Sequence, residues 1–395
     1  MNDWKKISAL SLLFFALLLA LFIYLFKINI SLPSNNLPFV AEAKRQTPLP
    51  TWQGTRPKNI IVFIADGMGF SHLTVAMHTQ QQAGQSSVWQ QFEVKTWHDA
   101  RSHYGPLTDS EAAATAMATG HSTAFGHIGM DAEQNHLSNV FELASAQGMV
   151  TGVVTDSYVW DGTPAGFTTH IRNEDDARNI LKQQANSQLA LLFGELEDLG
   201  EGLVPEQAET ESILSQRFQL LDKSLTLPAQ TEPLPPIAVL YDEDEIQNLN
   251  SSPNLPQMTA TALQYLSWHQ QPMLLLVESE ELDSASHTND ADRVIAGLQV
   301  IQHTLAVLLQ YTAENPDTLL VFTADHETGG LAATADYTTY PDLQMRWSTR
   351  HHTAVVVPLL ATGPGAQAFT RVQRNTDIGL VLKDLLTPHE ATTTP

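Results

Sequence analysis

The 395-residue chain carries 43 acidic side chains against 20 Lys and Arg, a formal charge of −23, and no cysteine. That charge excludes nucleic acid as a partner, because phosphate contacts need clustered Lys and Arg. The missing cysteine excludes disulfides, thiolate metal sites and cysteine nucleophiles. A hydrophobic fraction of 43% still allows a sizeable core in one large domain or two smaller ones. Any metal must be held by His, Asp and Glu. A phosphate site in so acidic a chain would need strong local positive charge of the kind bound dications supply.

Residues 7–26 (ISALSLLFFALLLALFIYLF) form an uncharged apolar run. Twenty helical residues span roughly 30 Å, about one bilayer core. Lys5 and Lys6 precede the run, so the positive-inside rule puts the N-terminus in the cytoplasm and everything after Lys27 outside. The expectation is an inner-membrane anchor at 1–28, with the lipid bilayer as partner through 7–26 and the remainder periplasmic or extracellular. A cleaved secretory signal is the alternative, although the small-residue stretch Val40–Ala43 lies far behind the apolar run. Residues 29–58, with Pro33, Pro38, Pro48, Pro50 and Pro57, read as a tether.

From Asn59 to the end, short apolar runs recur: Asn59–Ala65, Met149–Thr155, Ile237–Tyr241, Met273–Glu278, Thr318–Ala324 and Ala354–Ala361. They are continuous rather than alternating, as expected of strands covered on both faces. Helical patterns such as Met258–His269 and Ala291–Tyr311 fall between them. The pattern predicts an α/β fold over 59–395, a three-layer α/β/α sandwich with a mostly parallel sheet. Sites in such folds form at the carboxyl ends of the strands. The acidic stretch at about 187–250 reads as a peripheral insertion.

Three predicted strands end in acids: Asp66, Glu278 and Asp325, the last followed by His326. A single acid there is commonly a cap or turn residue. Three at corresponding ends of one sheet repel one another unless something cationic lies between them. Asp283 and His287 are four apart, so on a helix they share a face as metal ligands can. The stretch Leu107–Gly120 reads as a helix start, with Ser110 at the N-terminal end, where backbone N–H groups favour anions. An ordinary Ser/Asp cap fits the same residues. A serine is a poor nucleophile without a base or a metal. No Gly-x-Ser-x-Gly elbow is present, so metal activation is the better route.

Taken in order, Asp66-Gly-Met-Gly, Asp109-Ser110 before an Ala/Thr helix, Asp161-Gly-Thr163-Pro-Ala, Glu278 with Asp283 and His287, Asp325-His326-Glu-Thr-Gly-Gly and His352-Thr resemble the alkaline phosphatase family. The resemblance runs from about Asn59 to Leu386. It implies hydrolysis of phosphate monoesters through a phosphoseryl intermediate on Ser110, at neutral to alkaline pH, with two Zn2+ and one Mg2+. It implies Asp283, His287 and His352 as ligands of one zinc, and Asp66, Asp325 and His326 as those of the other. It further implies Asp66, Thr163 and Glu278 as magnesium ligands, with Asp161 supporting that ion through water. Small-molecule phosphate esters are the expected substrates, and the often dimeric state of the family implies a homodimer.

The chain also departs from the family. The family's arginine four residues after the histidine matching His170 is here Glu174, leaving Arg172 or Arg178 to bind phosphate. Glu111 replaces the small residue after the nucleophile, and Ser284 favours magnesium over a third zinc. Only 26 positions separate His326 from His352, so the insertion that larger relatives carry there is short. His72, His78, His98, His103, His121, His127 and His136 read as surface or core histidines. The alternatives are a phosphodiesterase or nucleotide hydrolase of the same superfamily, and a metal-retaining binding protein with impaired catalysis.

Overall fold

The computed structural model describes residues 49–84, 86–197, 205–335, 338 and 340–387. The expected membrane segment at 7–26 and the tether up to residue 48 lie outside these residues. The central sheet has nine strands in the order β2 (Val94–His98), β13 (Val357–Thr362), β8 (Thr318–Thr323), β1 (Asn59–Ala65), β7 (Met273–Ser279), β3 (Val150–Tyr158), β4 (Leu189–Glu195), β6 (Ile237–Tyr241) and β5 (Gln219–Leu220). Pairing is parallel from β8 to β5, while β13 runs antiparallel to both its neighbours.

The continuous apolar runs have a simple cause. Along β1, Ile60, Val62 and Ile64 enter one core, and Ile61, Phe63 and Ala65 enter the other. The first core is closed by helices that include α2 (Ser110–Thr119), α3 (Val140–Ala146), α4 (Gly162–Thr168), α5 (Ala177–Asn186) and α10 (Asn375–Leu386). The second is closed by α1 (Phe70–Gln82), α7 (Leu255–Trp268) and α9 (Ala291–Glu314). Phe63 is fully buried, edge-on to Phe322 at 5.4 Å. Truncating it to alanine costs about 3–5 kcal/mol.

One expectation is corrected. The stretch 187–250 is not wholly a peripheral insertion, because β4 and β6 within it are inner strands of the main sheet. All seven residues of Leu189–Glu195 are buried. The run is short, lacks β-branched residues and leads straight into the acids that begin at Glu195, which conceals it. The predicted run Ala354–Ala361 also shifts to Val357–Thr362. His352 and Thr353 instead form their own two-residue strand, β12, paired with β9 (Glu327–Thr328).

Candidate active site

Four adjacent strands, β8, β1, β7 and β3, deliver acids to one rim of the sheet. Asp66 follows β1, and its N–H donates to the Ser279 carbonyl at the end of β7 (2.9 Å). Glu278 sits on β7 opposite Ile64, and Asp325 and His326 leave β8. Gly67 adopts φ 72°, and a Cβ there would lie 2.6 Å from Asp283 Oδ1. Glycine therefore allows both this turn and its close contact with α8 (Glu281–Thr288), the helix that carries Asp283 and His287.

The first group is Asp283, His287 and His352, whose ligand atoms lie within 4.8 Å of one another. His287 Nδ1 lies 2.7 Å from the Arg350 carbonyl, and His352 Nδ1 lies 2.9 Å from the Thr108 carbonyl. A carbonyl oxygen only accepts, so both Nδ1 atoms carry the proton. The two Nε2 atoms then face each other at 3.1 Å, with Asp283 Oδ2 3.1 Å from His287 Nε2. Converging lone pairs of this kind, each held from behind by a backbone acceptor, are what a bound dication requires. Without one, the Asp283 contact pushes His287 up to about 9. Burial opposes ionisation of Asp283, but His287, with the charges of His326 and His352, holds it down to about 2.

The second group, Asp66, Asp325 and His326, brings its ligand atoms equally close together and is buried throughout. His326 Nε2 lies 3.4 Å from Asp66 Oδ1 and 3.2 Å from Asp325 Oδ2. Ser110, the first residue of α2, places Oγ 3.2 Å from Asp66 Oδ2 and 3.3 Å from His326 Nε2. The helix begins there because Asp109 caps it through the Ala112 N–H (2.8 Å) and also binds the Gly126 N–H (2.7 Å). It ends at Gly120, in the left-handed conformation. Burial raises Asp66 well above the usual carboxylate range, aided by the charges of Asp325, Asp283 and Glu278. Two buried carboxylate oxygens in this region, Asp66 Oδ1 and Asp325 Oδ2, lack a hydrogen-bond donor among the described residues. Orphaned buried acceptors are costly unless a cation satisfies them. Asp161, beside Thr163, is bound to the Ser157 hydroxyl (2.5 Å) and the Gly162 N–H (2.7 Å).

The rings of His326 and His352 stack with centroids 3.5 Å apart, bringing the two groups together. Three supporting residues carried no distinguishing signal in the sequence. Thr155 donates to Glu278 (2.6 Å), and the Thr328 hydroxyl contacts both Asp283 and His326. Buried His72 contacts the Gly69 N–H (3.2 Å) and the Ser286 hydroxyl (3.1 Å), tying the β1 turn to α8. Burial holds that imidazole down to about 4. Only its place three residues beyond Asp66-Gly-Met-Gly could have singled it out.

A third group was not anticipated as a unit. Asp109, Glu111 and Glu174 bring carboxylate oxygens within 4.8 Å of one another. Glu111 packs on Gly162, where an added Cβ would lie 2.6 Å from its Oε1. Burial raises Glu111 well above the usual range, and Asp109, Glu174 and Asp161 push it further. Arg172 is exposed, while Arg178 is committed to Glu209 at 3.0 Å.

The sequence model of one family, described as alkaline phosphatase, matches residues 57–214 and 237–344. Alkaline phosphatase 3 of Bacillus subtilis is 26% identical over 297 residues, which are 71% of this chain and 63% of that protein. The alkaline phosphatase of Escherichia coli is 24% identical over 412 residues, 83% of this chain and 86% of its own length. Among solved structures, the alkaline phosphatase of the Antarctic bacterium TAB5 superposes with a TM-score of 0.75 at 24% identity, covering 86% of this chain and 100% of that one.

Proposed function

The chain belongs to the alkaline phosphatase family, and from that premise we propose that it hydrolyses phosphate monoesters with Ser110 as nucleophile. One observation carries this reading. The Ser110 hydroxyl stands at a helix N-terminus between two buried ligand-type side chains, Asp66 and His326.

Asp283, His287 and His352 would hold one dication, and Asp66, Asp325 and His326 a second. Both sets mix imidazole and carboxylate, which suits zinc. The all-oxygen set Asp66, Thr163 and Glu278 would suit magnesium, and Asp161 would support that ion through water. Bound dications supply the positive charge that neutralises the phosphoryl group and stabilises attacking and leaving oxygens. Ser110 Oγ gives up its proton to solvent and attacks phosphorus in line, the bond to the leaving oxygen breaks, that oxygen takes a proton from water to leave as the alcohol, and a phosphoseryl ester forms. Water then attacks the same phosphorus, releasing inorganic phosphate and restoring the serine. The N-terminal end of α2, where Ser110 stands, favours the anionic phosphoryl group through the helix dipole. Loss of the serine proton becomes easier with rising pH, so turnover increases from neutral to alkaline conditions. Arg172 is the cation of this chain assigned to the phosphate. Residues 7–26 anchor the protein with this domain outside the cytoplasm, and the assembly is a homodimer.

The test is hydrolysis of p-nitrophenyl phosphate by the full chain with zinc and magnesium, after chelation, and against a diester of the same phenol. Metal-dependent turnover of the monoester supports the reading. A folded, zinc-loaded protein that cleaves only the diester replaces it with a phosphodiesterase, and one that cleaves neither replaces it with a binding role.

A further inference from the structure

Thr328 lies two residues beyond His326 and is fully buried. Its backbone N–H donates to the Gly67 carbonyl (3.1 Å), on the turn that follows Asp66. Its backbone also pairs with His352 across the short β9–β12 ladder. The side chain reaches both metal-type groups. Its hydroxyl donates to Asp283 Oδ1, a member of the first group, and lies 3.2 Å from His326 Nδ1, in the second.

Proton accounting decides the direction of the second contact. A threonine hydroxyl has one proton and two lone pairs, and an ionised carboxylate only accepts. With the proton given to Asp283, the oxygen can only accept from His326, so His326 Nδ1 carries hydrogen. The reverse tautomer would leave the hydroxyl facing two acceptors with one proton to share. The assignment holds whether or not Nε2 is protonated. In the neutral ring it turns the Nε2 lone pair toward Asp66 Oδ1, Asp325 Oδ2 and Ser110 Oγ, which lie 3.4, 3.2 and 3.3 Å away.

We propose that Thr328 is a positioning residue that joins the two metal sites: one hydroxyl orients Asp283 in the first and fixes the His326 tautomer in the second, so that the sites load as a coupled pair. The coupling rests on the reading that both groups hold dications; the tautomer assignment does not. A partner that locks a metal-binding histidine from behind typically changes metal affinity by about 10–100-fold.

The experiment has two arms. Nitrogen-15 spectra of the histidine rings, recorded on the metal-free full chain, read the tautomer of His326 directly. Hydrogen on Nδ1 is expected, and hydrogen on Nε2 alone overturns the assignment. Zinc titration by competition with a chromogenic chelator then compares the wild type with Thr328→Val and Thr328→Ser. The valine variant is expected to bind both ions about 10–100-fold more weakly, and the serine variant, which keeps the hydroxyl, to recover most of that loss. Wild-type zinc affinity in the valine variant overturns the positioning role while leaving the phosphatase reading intact. A wild type that binds no zinc removes both. Should the valine variant fail to fold, the wild-type tautomer and the serine variant still decide the matter.

Discussion

On one side of Ser110 the carboxylates of Asp66, Asp283 and Asp325 face the imidazoles of His326, His287 and His352; on the other, those of Asp109, Glu111 and Glu174 face one another. Both regions are acidic, and apart from the exposed Glu174 their members are partly or wholly buried, yet their chemistry diverges. In the first, each imidazole is held from behind by a fixed oxygen, which leaves lone pairs and carboxylates converging on a common centre. In the second, Asp109 is held by the Ala112 and Gly126 N–H groups, but all three members are carboxylates with no imidazole among them, and burial with like charge favours the protonated form of Glu111. Acid count alone therefore does not mark a metal centre. What distinguishes the first region is that oriented imidazoles converge with its carboxylates.

The largest effect is expected at Ser110, which lies between the two regions. Ser110→Ala should lower kcat for a phosphate monoester on the order of 10^4-fold or more, with zinc content and melting temperature unchanged. Retained turnover would separate both regions from the chemistry. Asp66→Asn tests the first region. It removes a charge from a crowded buried set, so the metal-free protein should melt a few degrees higher. The stabilisation gained on adding zinc, about 2.7 kcal/mol at one hundred times Kd for an ordinary site, should shrink. A variant with an unchanged metal response would show that Asp66 is not a ligand.

Glu174→Arg tests the second region by restoring the charge expected of the family. Inhibition by inorganic phosphate should tighten about tenfold, roughly 1.4 kcal/mol. No change would mean that the acid wall does not face the phosphate. The smallest effect belongs to Glu111→Gln. The folded-state pKa of Glu111 is raised above its ordinary 4.5. Its favourable contribution is therefore present below 4.5 and lost as pH rises through the raised value. Thermal melts with chelator present should show wild type and variant coinciding near pH 4, and the variant more stable at about pH 8. Parallel curves would contradict the burial argument.

Much of this was legible in the sequence because the signals were local. The run NIIVFIA ends in Asp66, TLLVFTA ends in Asp325, and an i, i+4 pair places Asp283 with His287. The remainder depended on long-range meetings. Glu111 and Glu174 were each visible as departures, but nothing in 62 intervening residues says that they touch. Strand β4 was hidden by its lack of β-branched residues and by the acids that begin at its end. The alternating edge strand Val94–His98, with Lys95 exposed, lacks the continuous apolar run that betrays a buried strand. Thr328 stood inside a quoted motif, yet only its two contacts distinguish it from a packing threonine.

Because Asp66, Glu278, Asp325 and His326 all stand at one rim of the sheet, the opposite rim is available for engineering. The turn Ala146–Gly148 precedes β3 at its amino end, is exposed throughout, and has no atom within 4 Å of a Cβ placed on Gly148. A short affinity peptide or reporter module inserted there should leave turnover and zinc stoichiometry at wild-type values, since exposed loop tips tolerate added chain. The same geometry suggests how such a scaffold could acquire new appendages over evolutionary time without disturbing its reaction centre.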